Sequence, residues 1–260
     1  MKLKTKKVLG LELVDSTVPQ LSAELTHWIS SKYKRLLILM TPNPEQVVQA
    51  QHDLDFAAAL HSADMLIPDG IGLIWASHGQ LRQRIPGVEV VAQLLADPKV
   101  VALKVLIVGG RGYLDQKIGG SLPIHELRTI PFELGSLSQP SVFWLPAYED
   151  ASQPTAEEEK FLAQVLTELQ PAVVLVALGA PAQELWLIAH QPELQRSRVK
   201  LAMAVGGSID ALTGRVLRAP SWLQNIGLEW LFRLITQPWR ARRQLRLIEF
   251  VMLALRHRQG

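Results

Sequence analysis

Short, uninterrupted apolar runs alternate along the chain with longer stretches whose apolar side chains recur every three or four positions. The runs predict strands at residues 36–40, 105–108, 142–145, 173–178 and 201–205, with a weaker one near 8–14. A run that is apolar at every position, instead of every second one, suits a parallel strand buried on both faces. Between the runs, helical periodicity predicts helices over 21–31, 44–60, 90–95, 157–169 and 183–190. Strand and helix in alternation predict an α/β fold, a Rossmann-like, mostly parallel sheet with helices on both faces. Such sheets bind ligands beyond the carboxyl ends of their strands. Residues 139–155, rich in Pro, Ser and acidic side chains around one apolar patch, read as a strand and loop away from the chemistry.

Composition adds exclusions. The 260 residues are 48% hydrophobic and 20% charged, which removes disordered and low-complexity readings. There is no cysteine, so disulfides, thiolate metal sites and thiol nucleophiles are excluded, and a reducing compartment is the default expectation. The basic start Met1-Lys2-Leu3-Lys4 leads into a stretch interrupted by Glu12 and Asp15, a poor signal peptide. No uncharged apolar run approaches the roughly 18 residues of a membrane span, so a soluble or peripheral protein is expected.

The formal charge of +3 conceals a division. Residues 1–210 carry 18 basic and 22 acidic side chains, whereas 211–260 carry nine arginines against Glu229 and Glu249. The same tail holds Trp222, Trp230 and Trp239, and apolar residues at helical spacing such as Leu245, Ile248, Met252 and Leu255. This composition fits a helix lying in an anionic membrane interface. The alternative is a C-terminal helix packed on its own domain with a solvated basic face; phosphate or anionic lipid is the better partner for the charge. No nucleic-acid-binding motif accompanies the charge, so nucleic acid is not an expected partner.

Turn-forming and anion-binding residues follow several predicted strands: Thr41-Pro42-Asn43-Pro44, Gly109-Gly110, Gly179-Ala180-Pro181 and Gly206-Gly207-Ser208. Glycine permits close backbone approach, and a helix start behind it offers N–H groups to phosphate. None completes G-x-G-x-x-G, which makes a nicotinamide-dependent oxidoreductase the second reading. Asp69, between Pro68 and Gly70, is either a base presented into a cleft or a turn residue, and the residues alone leave both open. Asp53-Leu54-Asp55 spells the D-x-D of many metal-dependent sugar transferases, yet in a helical stretch side chains two apart do not share a face. Asp53 and Asp55 are therefore expected to start a helix or face solvent, and no metal is expected. Neither H-E-x-x-H nor G-x-S-x-G occurs.

Six motifs in order carry a family resemblance. Thr41-Pro42-Asn43-Pro44-Glu45, Ser62-Ala63-Asp64 with Pro68-Asp69-Gly70-Ile71-Gly72, and Gly179-Ala180-Pro181-Ala182-Gln183-Glu184 are followed by Val205-Gly206-Gly207-Ser208-Ile209-Asp210, Gly214 with Arg218-Ala219-Pro220, and Gly227-Leu228-Glu229-Trp230. Together they resemble the WecG/TagA/CpsF glycosyltransferase family across residues 8–243, with a weak stretch near 110–157. The resemblance implies an inverting, metal-independent enzyme moving a sugar, N-acetylmannosamine in the best-known members, from a UDP donor to polyprenyl-diphosphate-linked N-acetylglucosamine. Polysaccharide synthesis at the inner face of the plasma membrane is the implied setting, with an anionic membrane surface as a further partner. It implies Asp69 as the general base, Thr41 and Asn43 as sugar contacts, and Arg84 near the departing UDP. Gly109, Gly110, Gly179, Gln183, Gly206, Gly207 and Asp210 would belong to the nucleotide pocket. Arg233, Arg240 and Arg243 would meet the lipid diphosphate.

Two departures stand out. Where the family reads Arg-x-Thr-Gly-x-Asp, this chain has Arg84-Ile85-Pro86-Gly87-Val88-Glu89, and Ala182 replaces a lysine. The expected division is a catalytic domain at 1–212 and a basic appendage at 213–260, with no cofactor beyond the UDP-sugar substrate. An inactive membrane-binding homologue is a third reading, and the oligomeric state, including a homo-oligomer, is left open.

Overall fold

Val105, Leu106, Ile107 and Val108 are all buried, but they do not share one core. Leu106 and Val108 join one hydrophobic cluster, whereas Val105 and Ile107 join another on the opposite side of the sheet. The uninterrupted run thus reflects two covered faces, each served by every second residue.

The computed structural model describes residues 3–32, 35–110, 112–113, 116–119, 122–127, 142–220, 222–223, 228–236 and 241–257. The first half contains β1 (Thr5–Val8), β2 (Leu11–Val14), α1 (Val18–Ser30), β3 (Leu37–Met40), α2 (Pro44–His52), α3 (Leu54–Ser62), β4 (Met65–Leu66) and α4 (Ile71–Ala76). Next come α5 (Gly87–Ala96), α6 (Pro98–Val101), β5 (Val105–Val108), β6 (Lys117–Ile118), β7 (Leu122–Glu126) and β8 (Val142–Leu145). The chain ends with α7 (Ala156–Leu169), β9 (Val173–Val176), α8 (Ala182–Ala189), α9 (Gln191–Arg196), β10 (Leu201–Ala204), α10 (Ser208–Leu212), α11 (Glu229–Thr236) and α12 (Ala241–His257).

The described strands form one sheet in the order β1-β2-β4-β3-β10-β9-β5-β8-β7-β6. Pairing is parallel throughout the centre and antiparallel only for β1 with β2 and β6 with β7. The fold is the expected mostly parallel α/β sheet. From β3 the chain steps outward to β4, and β5 is then added on the other side, with β9 and β10 filling the space between them. Such a reversal of direction is where open α/β sheets bind ligands.

One face is covered by α2, α3, α7 and α8 through Val47, Phe56, Leu166 and Leu187, and by Phe250 and Ala254 of α12. The other is covered by α1 and α5 through Leu21, Leu25, Val90 and Leu94. The C-terminal helix therefore packs on the core through an apolar edge, against α2. Among the described residues no helix is long and apolar enough to cross a membrane.

Two elements differ from the sequence expectation. Residues 8–14 belong to a hairpin of two strands, because Leu9 and Gly10 both take positive φ (50° and 87°) and turn the chain in two residues. Helical periodicity over 44–60 spans two helices, since Asp53 is extended, ending α2 and capping α3 by accepting from Phe56 N at 3.0 Å. Asp53 thus starts a helix, as the two-residue spacing suggested. Of the stretch 139–155, residues 139–141 lie outside the described residues, and β8 is the fully buried strand expected at 142–145.

Candidate active site

The loops after β4, β3, β10 and β9, four neighbouring strands, meet at the carboxyl ends of these strands. Thr41 and Asn43 follow β3, Asp69 follows β4, Gly179 and Gln183 follow β9, and Gly206 and Gly207 follow β10. All seven line one polar cavity of about 350 Å³.

Local packing explains why these motifs have their composition. Asn43 caps α2 by accepting from Gln46 N, and the Gln46 side chain accepts in return from Asn43 N, both at 3.0 Å. Pro44 occupies the first helical turn, where a missing N–H costs nothing. The same proline ring covers the other motif: a Cβ on Gly70 would lie 3.0 Å from Pro44 Cδ, and one on Gly72 would lie 2.7 Å from Pro44 Cγ. Thr-Pro-Asn-Pro and Pro-Asp-Gly-Ile-Gly are therefore two halves of one packed unit. Asp69 is fixed between them, its N–H donating to Pro42 O at 3.0 Å while Ile85 N donates to Pro68 O at 2.8 Å.

Thr41 Oγ1 donates to Ala204 O across to β10, a long bond of 3.4 Å. Gly87, at the start of α5, is closely packed: a Cβ there would press on Thr41 Cγ2 at 3.0 Å and touch Asp69 Oδ2 at an ordinary 3.7 Å. Gly87→Ala is expected to preserve the fold, as a helix start accepts alanine, while displacing the Thr41 side chain. A fall of about tenfold in kcat/KM with little change in Tm is the expected result; an unchanged kcat/KM would show that the contact does not hold the site.

A buried chain of amides runs beneath the cavity floor. Gly206 N donates to Gln183 Oε1, Gln183 Nε2 donates to Glu184 Oε1, and Gln46 Nε2 donates to the same Glu184 oxygen, each at 2.9 Å. Glu184 is fully buried, and its Oε2 has no hydrogen-bond partner among the described residues. Burial pushes its carboxyl above the ordinary glutamate range, outweighing the amides from Gln183 and Gln46 that favour the anion. Gln183 thus lines the cavity while both ends of its side-chain amide are used as a strut.

The remaining expected residues lie elsewhere. Arg84 lines a second cavity, its guanidinium 3.2 Å from Glu229 of α11. Gly109 and Gly110, after β5, are not among the residues lining the polar cavity. Their positive φ values (82° and 76°) make a turn packed on Leu178 and Tyr113, and Gly109 O accepts from Trp144 Nε1 at 2.9 Å. Asp210 is likewise turned toward Tyr113, accepting from its hydroxyl at 3.0 Å, with Arg215 at 3.7 Å. Burial and then the neighbouring Asp210 raise the Tyr113 phenol far above its usual range. Arg240 lies outside the described residues, as do the side chains of Arg233 and Arg243.

Several lining residues had no site role assigned from sequence. Arg218, Glu229 and Arg246 reach the polar cavity from beyond residue 212. Arg218 is 3.0 Å from Glu89, so segments 84–89 and 218–229 are joined by two ion pairs, Arg84–Glu229 and Arg218–Glu89. Pro86 stands at the N-cap of α5 and supplies no side-chain oxygen there. Among the described residues no three His, Asp or Glu side chains are grouped as metal ligands.

The two cavities adjoin, sharing Asn43, Glu45, Asp69 and Glu229. A carboxylate on the common wall of a polar and an apolar compartment can accept a proton from a group held between two unlike substrates. Comparison with known proteins agrees with a transferase. The model of the glycosyl transferase WecG/TagA/CpsF family matches residues 6–260. The chain belongs to this family. It is similar to an N-acetylglucosaminyldiphosphoundecaprenol N-acetyl-beta-D-mannosaminyltransferase of Bacillus subtilis strain 168, 26% identical over 252 residues, covering 94% of this chain and 91% of that protein. A protein of the same description from Bacillus spizizenii is 28% identical over 265 residues, covering 99% of this chain and 93% of its own. The chain is therefore a glycosyltransferase, and membership sets aside the nicotinamide-dependent alternative.

Proposed function

We propose that the protein transfers N-acetylmannosamine from a UDP donor to N-acetylglucosamine carried on a polyprenyl diphosphate, with inversion and without a metal ion. The observation that carries this reading is the position of Asp69 on the wall between the two cavities. The first turns of α2, α5 and α8 contribute Gln46, Val88 and Gln183 to the polar cavity, so three helix N-termini face it and favour an anionic diphosphate. Arg218 and Arg246 add positive charge there.

In this mechanism the acceptor hydroxyl oxygen attacks the anomeric carbon as the bond from that carbon to the UDP phosphate oxygen breaks. Asp69 takes the hydroxyl proton, and UDP leaves as the anion. One displacement inverts the anomeric centre and needs one base. Arginines and helix N-termini take the part that a divalent cation plays in other sugar transferases. Residues 213–260 act as an appendage that closes the site and meets the inner face of the plasma membrane, while 1–212 form the catalytic domain.

The test is release of UDP from a panel of UDP-sugars, with and without a polyprenyl-diphosphate-N-acetylglucosamine analogue, in the presence of a chelator. Acceptor-dependent release from UDP-N-acetylmannosamine, unaffected by the chelator, is expected. Release confined to another sugar overturns the donor assignment, and a strict divalent requirement overturns the metal-free mechanism. Absence of turnover with every donor favours an inactive homologue.

A further inference from the structure

The second cavity, about 620 Å³, has a different chemistry from the first. One wall is α4, with Ile71 and Trp75; the opposite wall is α12, with Ile248 and Val251; Trp230 of α11 stands beside them. These side chains are large, apolar and incompletely covered: Ile71 is 44% exposed, Trp75 48%, Trp230 41%, Ile248 61% and Val251 43%. Apolar surface gathered in one place and left open to water marks a site for a ligand or another surface. At the inner end the lining turns polar, where Asp69, Asn43 and the Arg84–Glu229 ion pair stand.

We infer that this cavity seats the first isoprene units of the acceptor lipid, with α4 of the catalytic core forming half of the seat and α12 the other half. The inference rests on the transferase reading above. If Asp69 takes the proton of an acceptor hydroxyl, the acceptor sugar lies at the common wall. The UDP-sugar occupies the polar compartment, so the rest of the acceptor must leave through the other. That exit is lined by hydrocarbon beyond a polar threshold, the order of groups in a sugar-diphosphate-isoprenoid read from sugar to tail. A water-soluble acceptor would gain nothing from these walls, whereas each buried methylene of an isoprenoid is favourable. Lipid recognition is therefore shared between the core and the C-terminal helix, and its apolar part does not depend on the arginines of the tail.

The test uses the full chain and two simple probes, farnesyl diphosphate and methyl diphosphate, titrated calorimetrically below the micellar concentration. The farnesyl compound is expected to bind about tenfold or more tightly than the methyl compound, because only its tail can reach the apolar walls. Ile248→Asp, which places a charge in the cavity, and Val251→Trp, which fills it, are each expected to reduce that preference to less than about threefold. Both positions are partly exposed, and UDP titration of the same samples checks that each variant is folded. Equal affinity for the two probes in the native chain overturns the inference, as does a farnesyl preference retained by both variants. Vesicles of phosphatidylglycerol and phosphatidylcholine separate acceptor seat from membrane contact: variants that lose vesicle binding but keep the farnesyl preference also overturn it. A farnesyl preference that both variants abolish, in a protein that uses no UDP-sugar, upholds the isoprenoid seat while removing the proposed transfer reaction.

Discussion

Asp69→Asn is expected to lower acceptor-dependent transfer by about 10²–10⁴-fold, the usual contribution of a general base, with UDP affinity and Tm close to those of the native chain. The substitution is nearly isosteric, and two backbone bonds that anchor this loop do not involve the carboxylate: Asp69 N to Pro42 O and Ile85 N to Pro68 O. Gly70 and Gly72 still close on Pro44, so the wall between the cavities keeps its shape. What is lost is an anionic oxygen able to take a proton. Parallel measurement of kcat, KM for each substrate and Tm distinguishes this from a structural defect. A variant retaining more than about a tenth of native kcat would remove Asp69 from the role of base. A large rise in donor KM at unchanged kcat would make it a sugar-binding residue instead.

The central sheet was legible because its strands are buried on both faces and consequently uninterrupted in their apolar character. The Val105, Val142, Val173 and Leu201 strands begin where the apolar runs begin. Residues that line the polar cavity were legible to the extent that they sit in turns with restricted backbone, as Asn43, Asp69, Gly179 and Gly206 do. The strand Met65–Leu66 was not, since two residues carry no periodicity, although its position beside β3 aims Asp69 into the cleft. Asp53 was recognised as a helix start, but its effect on the preceding helix was hidden by apolar spacing that continues across the break. Least legible were the pairings of Arg84 with Glu229 and of Glu89 with Arg218, separated by 145 and 129 residues. Only the fold brings these partners together, Arg84 with Glu229 at the second cavity and Glu89 with Arg218 beside the polar one. Gly109, Gly110 and Asp210, expected in a nucleotide loop, stand beside Tyr113 and Leu178, outside the lining of the polar cavity.

Glu184 carries the second large effect. Its Oε1 receives two amide donors, from Gln46 of α2 and Gln183 of α8, and Gln183 in turn holds Gly206. The loops after β3, β9 and β10 are thereby tied to one carboxyl group with no exposure to solvent. Glu184→Ala leaves two buried amides without their acceptor and opens a void, a destabilisation of about 2–4 kcal/mol. Glu184→Gln behaves in the opposite way, because a neutral amide keeps one oxygen facing the two donors and imposes no charge on a buried site. A carboxyl whose folded pKa is raised binds its proton more tightly in the native state than in the unfolded chain. Its contribution to stability is therefore fully present below the ordinary glutamate value of 4.5 and is lost as pH rises through the folded value. Denaturant titrations at pH 5 and pH 8.5 are expected to show native stability falling with pH relative to Glu184→Gln, with the variant the more stable at the higher pH. If instead the native chain gains on the variant over that interval, the carboxylate is stabilised by its two amides more than burial penalises it, and Glu184 works as an anionic anchor of the three loops.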